Sequence, residues 1–323
     1  MIEAINKYVL MAPFHNKNAG FSKWTFAKRN GKEYFVKEFL NPVYPVDETI
    51  SSEIRRSAVQ SCRNYEARKK RLYSEINRVS DGNVVRIEEF FRCDNHYYIS
   101  TERIVGPRIS PEDLQKYPFE KRLLLCRTIA HSVMKIHQAH IVHADIKHTN
   151  IMLKMTGSGN LVGKLIDFDS GFFEDDPPKM GEDLGGDQVY MSPEACMFIC
   201  EEPVKLTCKM DVFALGILFH QYLTGELPAF DTTEYDYAFD AVLDGNKLEV
   251  SERIPAELRK IIGKMLDEDP EKRPAMYQVF AAMGGSTETE TETETETETE
   301  TPPEPAPKKK HKNPQDYFFV VKD

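Results

Sequence analysis

The sequence predicts an α+β fold in two lobes: a small antiparallel sheet carrying one long helix, then a larger, mainly α-helical lobe. Three observations predict it. Residues 6–40 alternate apolar and polar side chains in the manner of strands and contain an Asn30-Gly31 turn. A charged stretch with helical spacing follows over residues 53–79. From Pro111 onward apolar residues recur every three to four positions, and residues 211–223 are almost wholly apolar, as in a helix buried on every side.

Taken in order, residues 24–27 and 33–39 form a hairpin around the Asn-Gly turn, because that dipeptide accepts the positive φ values a two-residue turn needs. A proline-punctuated loop at 41–47 leads into the long helix. The helix stops at Asp81-Gly82-Asn83, where glycine suits a left-handed cap. Two strands are expected at 84–92 and 97–104, which closes a first lobe of residues 1–104. The second lobe, residues 105–284, should hold a helix at 120–139. Short apolar runs at 141–142, 151–153 and 164–166 flank two polar loops. Beyond it, Thr and Glu alternate, followed by Pro-rich and Lys-rich runs. With no apolar residue to offset ordering entropy, residues 285–312 read as a disordered linker. Residues 313–323 read as a short apolar segment, either a strand folding back or a peptide by which a signalling partner docks.

The chain of 323 residues is 41% hydrophobic, enough for one large core or two adjoining lobes. It has no run of eighteen apolar residues and begins without a basic, apolar and small-residue leader, so no membrane span is expected. Six scattered cysteines without a CxxC pair suit a reducing, cytoplasmic setting, and no four-ligand zinc spacing is present. A net charge of −10 argues against a nucleic-acid partner.

The chemistry lies in the two polar loops. His143-Ala144-Asp145-Ile146-Lys147-His148-Thr149-Asn150 supplies a carboxylate that could accept a hydroxyl proton and, on the same loop, an amide oxygen for a hard cation. Asp167-Phe168-Asp169 supplies further carboxylates. Together with Lys37, Ser192-Pro193-Glu194, Asp211 and Arg273, these loops resemble the eukaryotic-type Ser/Thr protein kinases, with six markers in family order across residues 6–283. The resemblance implies a bilobal kinase fold and Mg-ATP-dependent phosphorylation of Ser/Thr hydroxyls in a protein substrate. It implies Asp145 as catalytic base, Lys147 steadying the transferred phosphoryl group, Lys37 on the α and β phosphates, and Asn150 and Asp167 as Mg²⁺ ligands. Gly20 and Ser22 would belong to the phosphate-covering loop. Thr101 would stand behind the adenine pocket, with the backbone around Glu102 and Ile104 bonding the adenine edge. A helix glutamate should pair with Lys37. Glu66 is preferred over Glu75, because Cys62, Tyr65, Lys69, Leu72 and Ile76 form a stripe that turns its neighbourhood toward the sheet. His143, Glu194, Arg273 and Asp211 would be structural. More loosely, residues 18–24 and 89–92 look like soluble bacterial kinases found with phosphatase and von Willebrand-type partners.

Departures from the family matter as much. The phosphate-covering loop offers only Gly20 where three glycines are usual, and Asp169 replaces the glycine after Asp167-Phe168. Ala144 stands where regulated kinases carry the Arg that grips an activation-segment phosphate. The segment 170–191 contains no Thr but carries Glu174-Asp175-Asp176 and Glu182-Asp183. Activity independent of segment phosphorylation is the resulting expectation. The alternative is a pseudokinase that binds a nucleotide or a partner.

Overall fold

Asn30 and Gly31 take φ values of 52° and 77° and close the expected two-residue turn. The computed structural model describes residues 4–16, 22–46, 52–180, 182 and 184–286. Strands β1 (Ala4–Ile5), β2 (Tyr8–Leu10), β3 (Ser22–Arg29) and β4 (Lys32–Phe39) are followed by helix α1 (Ser52–Val79), then by β5 (Ile87–Cys93) and β6 (His96–Glu102). The strands form one antiparallel sheet in the order β1-β2-β3-β4-β6-β5. β3 and β4 pair without interruption from Ser22–Phe39 to Arg29–Lys32, and β4 pairs with β6 so that Lys37 lies opposite Ile99.

The face of α1 turned to this sheet buries Cys62, Leu72, Tyr73 and Ile76. Its aromatic residues interlock with the strands: Tyr65 packs on Phe39, Phe90 and Tyr97, and Tyr73 packs edge-on against Phe90. Each such pair adds about 1 kcal/mol beyond the area it buries. The strand expected at 84–92 starts later, at Ile87, because the chain before it is used elsewhere. The Val85 amide donates to the Leu165 carbonyl at 2.8 Å and the Leu165 amide to the Asn83 carbonyl at 2.8 Å, which laces the first lobe to the second. β6 likewise ends at Glu102 rather than 104. The chain there leaves the sheet and crosses the strand Ile151–Met155, where a Cβ on Gly106 would lie 2.0 Å from the Leu153 carbonyl oxygen.

The second lobe contains α2 (Pro111–Leu114), α3 (Phe119–Gln138), β7 (Ile141–Val142), β8 (Ile151–Met155), β9 (Leu161–Leu165), β10 (Phe172–Phe173), α4 (Pro193–Ile199), α5 (Lys209–Thr224), α6 (Ala238–Leu243), α7 (Ala256–Met265) and α8 (Met276–Ala282). α5 is the central helix, buried everywhere except at Lys209 and Gln221, and Gly225 at φ 85° caps it. β8 and β9 pair antiparallel, and β10 returns to pair with β7. The two polar loops therefore emerge side by side. Among the described residues no helix is long and apolar enough to cross a membrane. The linker and apolar segment expected at 285–312 and 313–323 fall, from residue 287 on, outside the described residues.

Candidate active site

The loop 143–150 is fixed from beneath by Asp211 at the start of α5. Asp211 accepts from the His143 amide at 2.8 Å, the Ala144 amide at 2.9 Å and His137 Nε2 at 2.9 Å. Those bonds hold Ala144 in the left-handed region, φ 63°, which side chains other than glycine adopt only when the surroundings impose it. His143 is fully buried. It packs on Phe168 with ring centroids 4.5 Å apart and bonds the Ile166 carbonyl at 3.0 Å, so it ties the two loops together as a structural residue.

Above this base, Asn150 Nδ2 donates to both the carbonyl and Oδ2 of Asp145 at 2.8 Å, and Lys147 Nζ lies 3.0 Å from the same Oδ2. Among the described residues, Asp145 Oδ1 is buried with no hydrogen-bond partner. Such an acceptor is costly to leave unpaired, and it is the atom a substrate hydroxyl would satisfy. Because Nδ2 of Asn150 is committed to Asp145, its Oδ1 is the side-chain atom suited to a cation. With the Asp167 carboxylate it makes an oxygen donor set of the kind Mg²⁺ takes.

Lys37 reaches this centre from β4. Its Nζ lies 2.8 and 2.9 Å from the Asp167 carboxylate oxygens and 2.7 Å from Asp169 Oδ2. Burial disfavours the charge on Lys37, but the Asp169 and Asp167 carboxylates overcome it and hold the ammonium above its ordinary pKa. Burial also works against the charge on Asp167, yet Lys37 keeps its carboxyl below the usual range. At Asp169, burial and then the neighbouring Asp167 charge push the pKa up.

The partner expected for Lys37 from α1 is not there. Glu66 lies one turn too early on the helix and accepts from Tyr97 Oη at 3.0 Å and from Lys70 at 3.4 Å, whereas Glu75 pairs with Arg78. The position of α1 that faces the loop is occupied by Lys69, whose Nζ donates to the Asp169 carbonyl. Lys69 belongs to the helical stripe visible in the sequence, which is the signal that could have located it. Gly20 lies outside the described residues, and Ser22 is buried at the start of β3. Thr101 is half-buried at the end of β6 opposite Phe35. The Glu102 side chain bonds buried Lys164 of β9 at 2.5 Å and accepts from the Arg86 amide at 3.0 Å, so it ties the two lobes together. Ile104 packs, half-buried, against the core.

The acidic run after β10 is tethered to basic residues of α1 that sequence reasoning did not single out. Arg68 forks Asp176 at 2.6 and 2.9 Å and reaches Glu182 at 3.5 Å; Arg71 bonds Asp175 at 3.0 and 3.2 Å and lies 3.9 Å over the Phe173 ring. Glu174 accepts from the Cys208 amide at 2.9 Å and bonds His140 at 2.9 Å. Asp187 caps its own turn through the Val189 amide at 3.0 Å. Farther on, Glu194 and Arg273 form the expected buried pair at 2.6 and 2.9 Å.

A sheet lobe with one long helix, a helical lobe around α5 and a carboxylate–lysine–asparagine centre at their junction make up the fold of a protein kinase domain. A model of the protein kinase domain matches residues 51–283, and the chain belongs to that family. The match begins after β4, so Lys37 lies outside it. Among curated relatives, an Aurora kinase of Schizosaccharomyces pombe is 29% identical over 172 residues, covering 53% of this chain and 43% of its own length. The serine/threonine-protein kinase Nek9 of Mus musculus is 34% identical over 148 residues, 46% of this chain and 14% of its own. A probable serine/threonine-protein kinase of Clostridium acetobutylicum, CA_C1728, is 26% identical over 211 residues, 63% and 30% respectively. The chain thus spans less than half the length of these relatives.

Proposed function

We propose that the chain is a Mg-ATP-dependent protein kinase that phosphorylates Ser/Thr hydroxyls and needs no phosphate on its activation segment. The Oδ1 of Asp145, beside Lys147 and Asn150 and without a partner among the described residues, is the observation that carries this reading. Bound Mg-ATP would supply the γ-phosphoryl group and neutralise the charge left on the diphosphate. Asp145 orients the incoming hydroxyl and takes its proton on Oδ1. Lys147 offsets negative charge where the phosphoryl group passes, Asn150 and Asp167 would hold Mg²⁺, and Lys37 would hold the nucleotide phosphates. Backbone around Glu102 and Ile104 would bond the adenine edge, with Thr101 behind it and Gly20 and Ser22 over the phosphates.

Independence from segment phosphorylation is supported by the carboxylates of Asp175 and Asp176, which occupy Arg71 and Arg68 as a phosphate would. Tyr190 is buried with its hydroxyl on Gln221 at 2.7 Å, out of reach of a modifying enzyme. Six unpaired thiols suit a reducing, cytoplasmic setting. Residues 317–321 are read as a docking peptide for a signalling partner. Truncation after residue 286 is expected to spare transfer to a generic substrate and abolish partner capture.

The test is transfer of labelled phosphate from ATP in Mg²⁺, with and without a generic protein substrate. Asp145→Ala and Asp167→Ala should each abolish it, while Ser170→Ala with Tyr190→Phe should not. Nucleotide binding without transfer by the parent protein would establish the pseudokinase instead.

A further inference from the structure

Two cations and two carboxylates meet at the junction of β4, α1 and the 167–169 loop, and their placement reverses the expected polarity. The helix contributes Lys69, half-buried, with its ammonium 5.7 Å from the Tyr73 ring centroid and bonded to the Asp169 carbonyl. The loop contributes the carboxylate, Asp169 Oδ2, at 2.7 Å from Lys37. Of the helix glutamates, Glu66 is engaged by Tyr97, Glu75 by Arg78, and Glu53 is exposed in the first turn. We propose that Asp169 is the positioning residue for Lys37, and that Lys69 is the cation through which α1 holds Asp169 in place. A carboxylate that the family draws from the helix is here supplied by the metal-binding loop, and the helix has changed sign to match.

The arrangement answers a specific difficulty. Lys37 also bonds both oxygens of Asp167, and a lysine with no other carboxylate would retain Asp167 as its counter-ion in competition with a metal. Asp169 gives Lys37 a second anion, so Asp167 can turn to a cation without leaving a buried ammonium unpaired. It also makes two events one. When the 167–169 loop swings away, Lys37 loses both partners together, and α1 loses its hold through Lys69.

The inference rests on the proposed kinase reading only where nucleotide or Mg²⁺ enters the assay. A reciprocal exchange tests it: Asp169→Gly, Lys69→Glu and the double variant. Thermal unfolding of nucleotide-free, metal-free protein is followed alongside affinity for a fluorescent ADP analogue and the Mg²⁺ concentration giving half-maximal transfer. Each single variant should unfold at lower temperature, weaken nucleotide binding by about tenfold, and shift the Mg²⁺ requirement upward. The double variant, which restores a helix carboxylate facing Lys37, should recover most of each loss. Asp169→Asn and Lys69→Met remove charge and keep shape, and they replace any variant that does not fold. The idea is overturned if Asp169→Gly leaves the unfolding temperature and Mg²⁺ requirement unchanged, or if the double variant is no better than the sum of its parts. Should the parent protein neither bind nucleotide nor transfer phosphate, the kinase reading fails, and the metal-free unfolding cycle still decides the charge exchange.

Discussion

Arg273→Ala should bring the second lobe close to unfolding. The guanidinium is fully buried against Phe213, forks Glu194 and donates to three carbonyls, those of Asp267 at 2.8 Å, Glu268 at 3.0 Å and Lys209 at 3.0 Å. Removing it strands the Glu194 carboxylate, only 5% exposed, without its cation. Breaking one partner of such a pair costs about 3–5 kcal/mol, and each orphaned carbonyl adds up to about 1 kcal/mol where water cannot enter. Set against a total stability of roughly 5–15 kcal/mol, that loss is most of what holds the fold. Arg273→Met with Glu194→Leu removes both charges, and it should lie several kcal/mol above the single variant because nothing charged is left buried. Urea unfolding of the parent, Arg273→Met, Glu194→Leu and the double variant gives the coupling. A loss below about 1 kcal/mol for Arg273→Ala, or strict additivity in the cycle, would refute the argument that the pair acts as a buried unit.

Arg68→Ala should cost under about 1 kcal/mol of stability, because its carboxylate partners are substantially exposed, yet lower transfer several-fold by loosening the 174–182 segment; limited proteolysis there and kcat measure the two effects. His220 is buried, accepting from the Ser251 amide at 3.0 Å and bonding the Glu226 carbonyl at 2.8 Å, and burial lowers its pKa. The unfolded chain therefore binds more protons below the ordinary histidine value, and stability is lost as pH falls from about 7 to 5. The urea midpoint of the parent should fall more steeply over that range than that of His220→Gln. Among the cysteines, Cys200 is exposed, whereas burial, then Cys200, pushes Cys196 up to about 11, and burial raises Cys126 and Cys208 further. Alkylation of native protein at neutral pH should mark Cys200 first and leave Cys126 and Cys208 unmarked until urea is added.

Most of the fold was legible because each element carries its own local signal. The Asn30-Gly31 turn, the apolar α5 and the short strands around the two loops are each specified by neighbours in sequence. Asp211, Glu194 and Arg273 were legible for another reason: their order along the chain resembles that of the kinase family, and the structure buries all three. Asp175, Asp176, Arg68 and Arg71 were not. Charges on a helix face and on a loop a hundred residues later have no periodicity that links them, and only the folded chain brings them together. Glu66 failed for a subtler reason. The stripe 62-65-69-72-76 was read correctly as the inward face, but the expectation that an acid must face Lys37 pulled the choice three residues away from Lys69. Strand ends at 84 and 104 differ from the expectation because Val84, Val85 and Ile104 are apolar for packing into the large core and not for sheet pairing.

That lacing at Leu165 has a mechanical consequence. One edge of β9 bonds the strand leaving the first polar loop, Leu165 to Ile151, and the same residue bonds Asn83 and Val85 of the sheet lobe. Leu165 therefore belongs to both bodies and sits two residues before Asp167. If the lobes rotate against each other, the axis passes near this point. Groups beside that fulcrum, the Asp167 carboxylate among them, then barely travel while the sheet lobe turns about them.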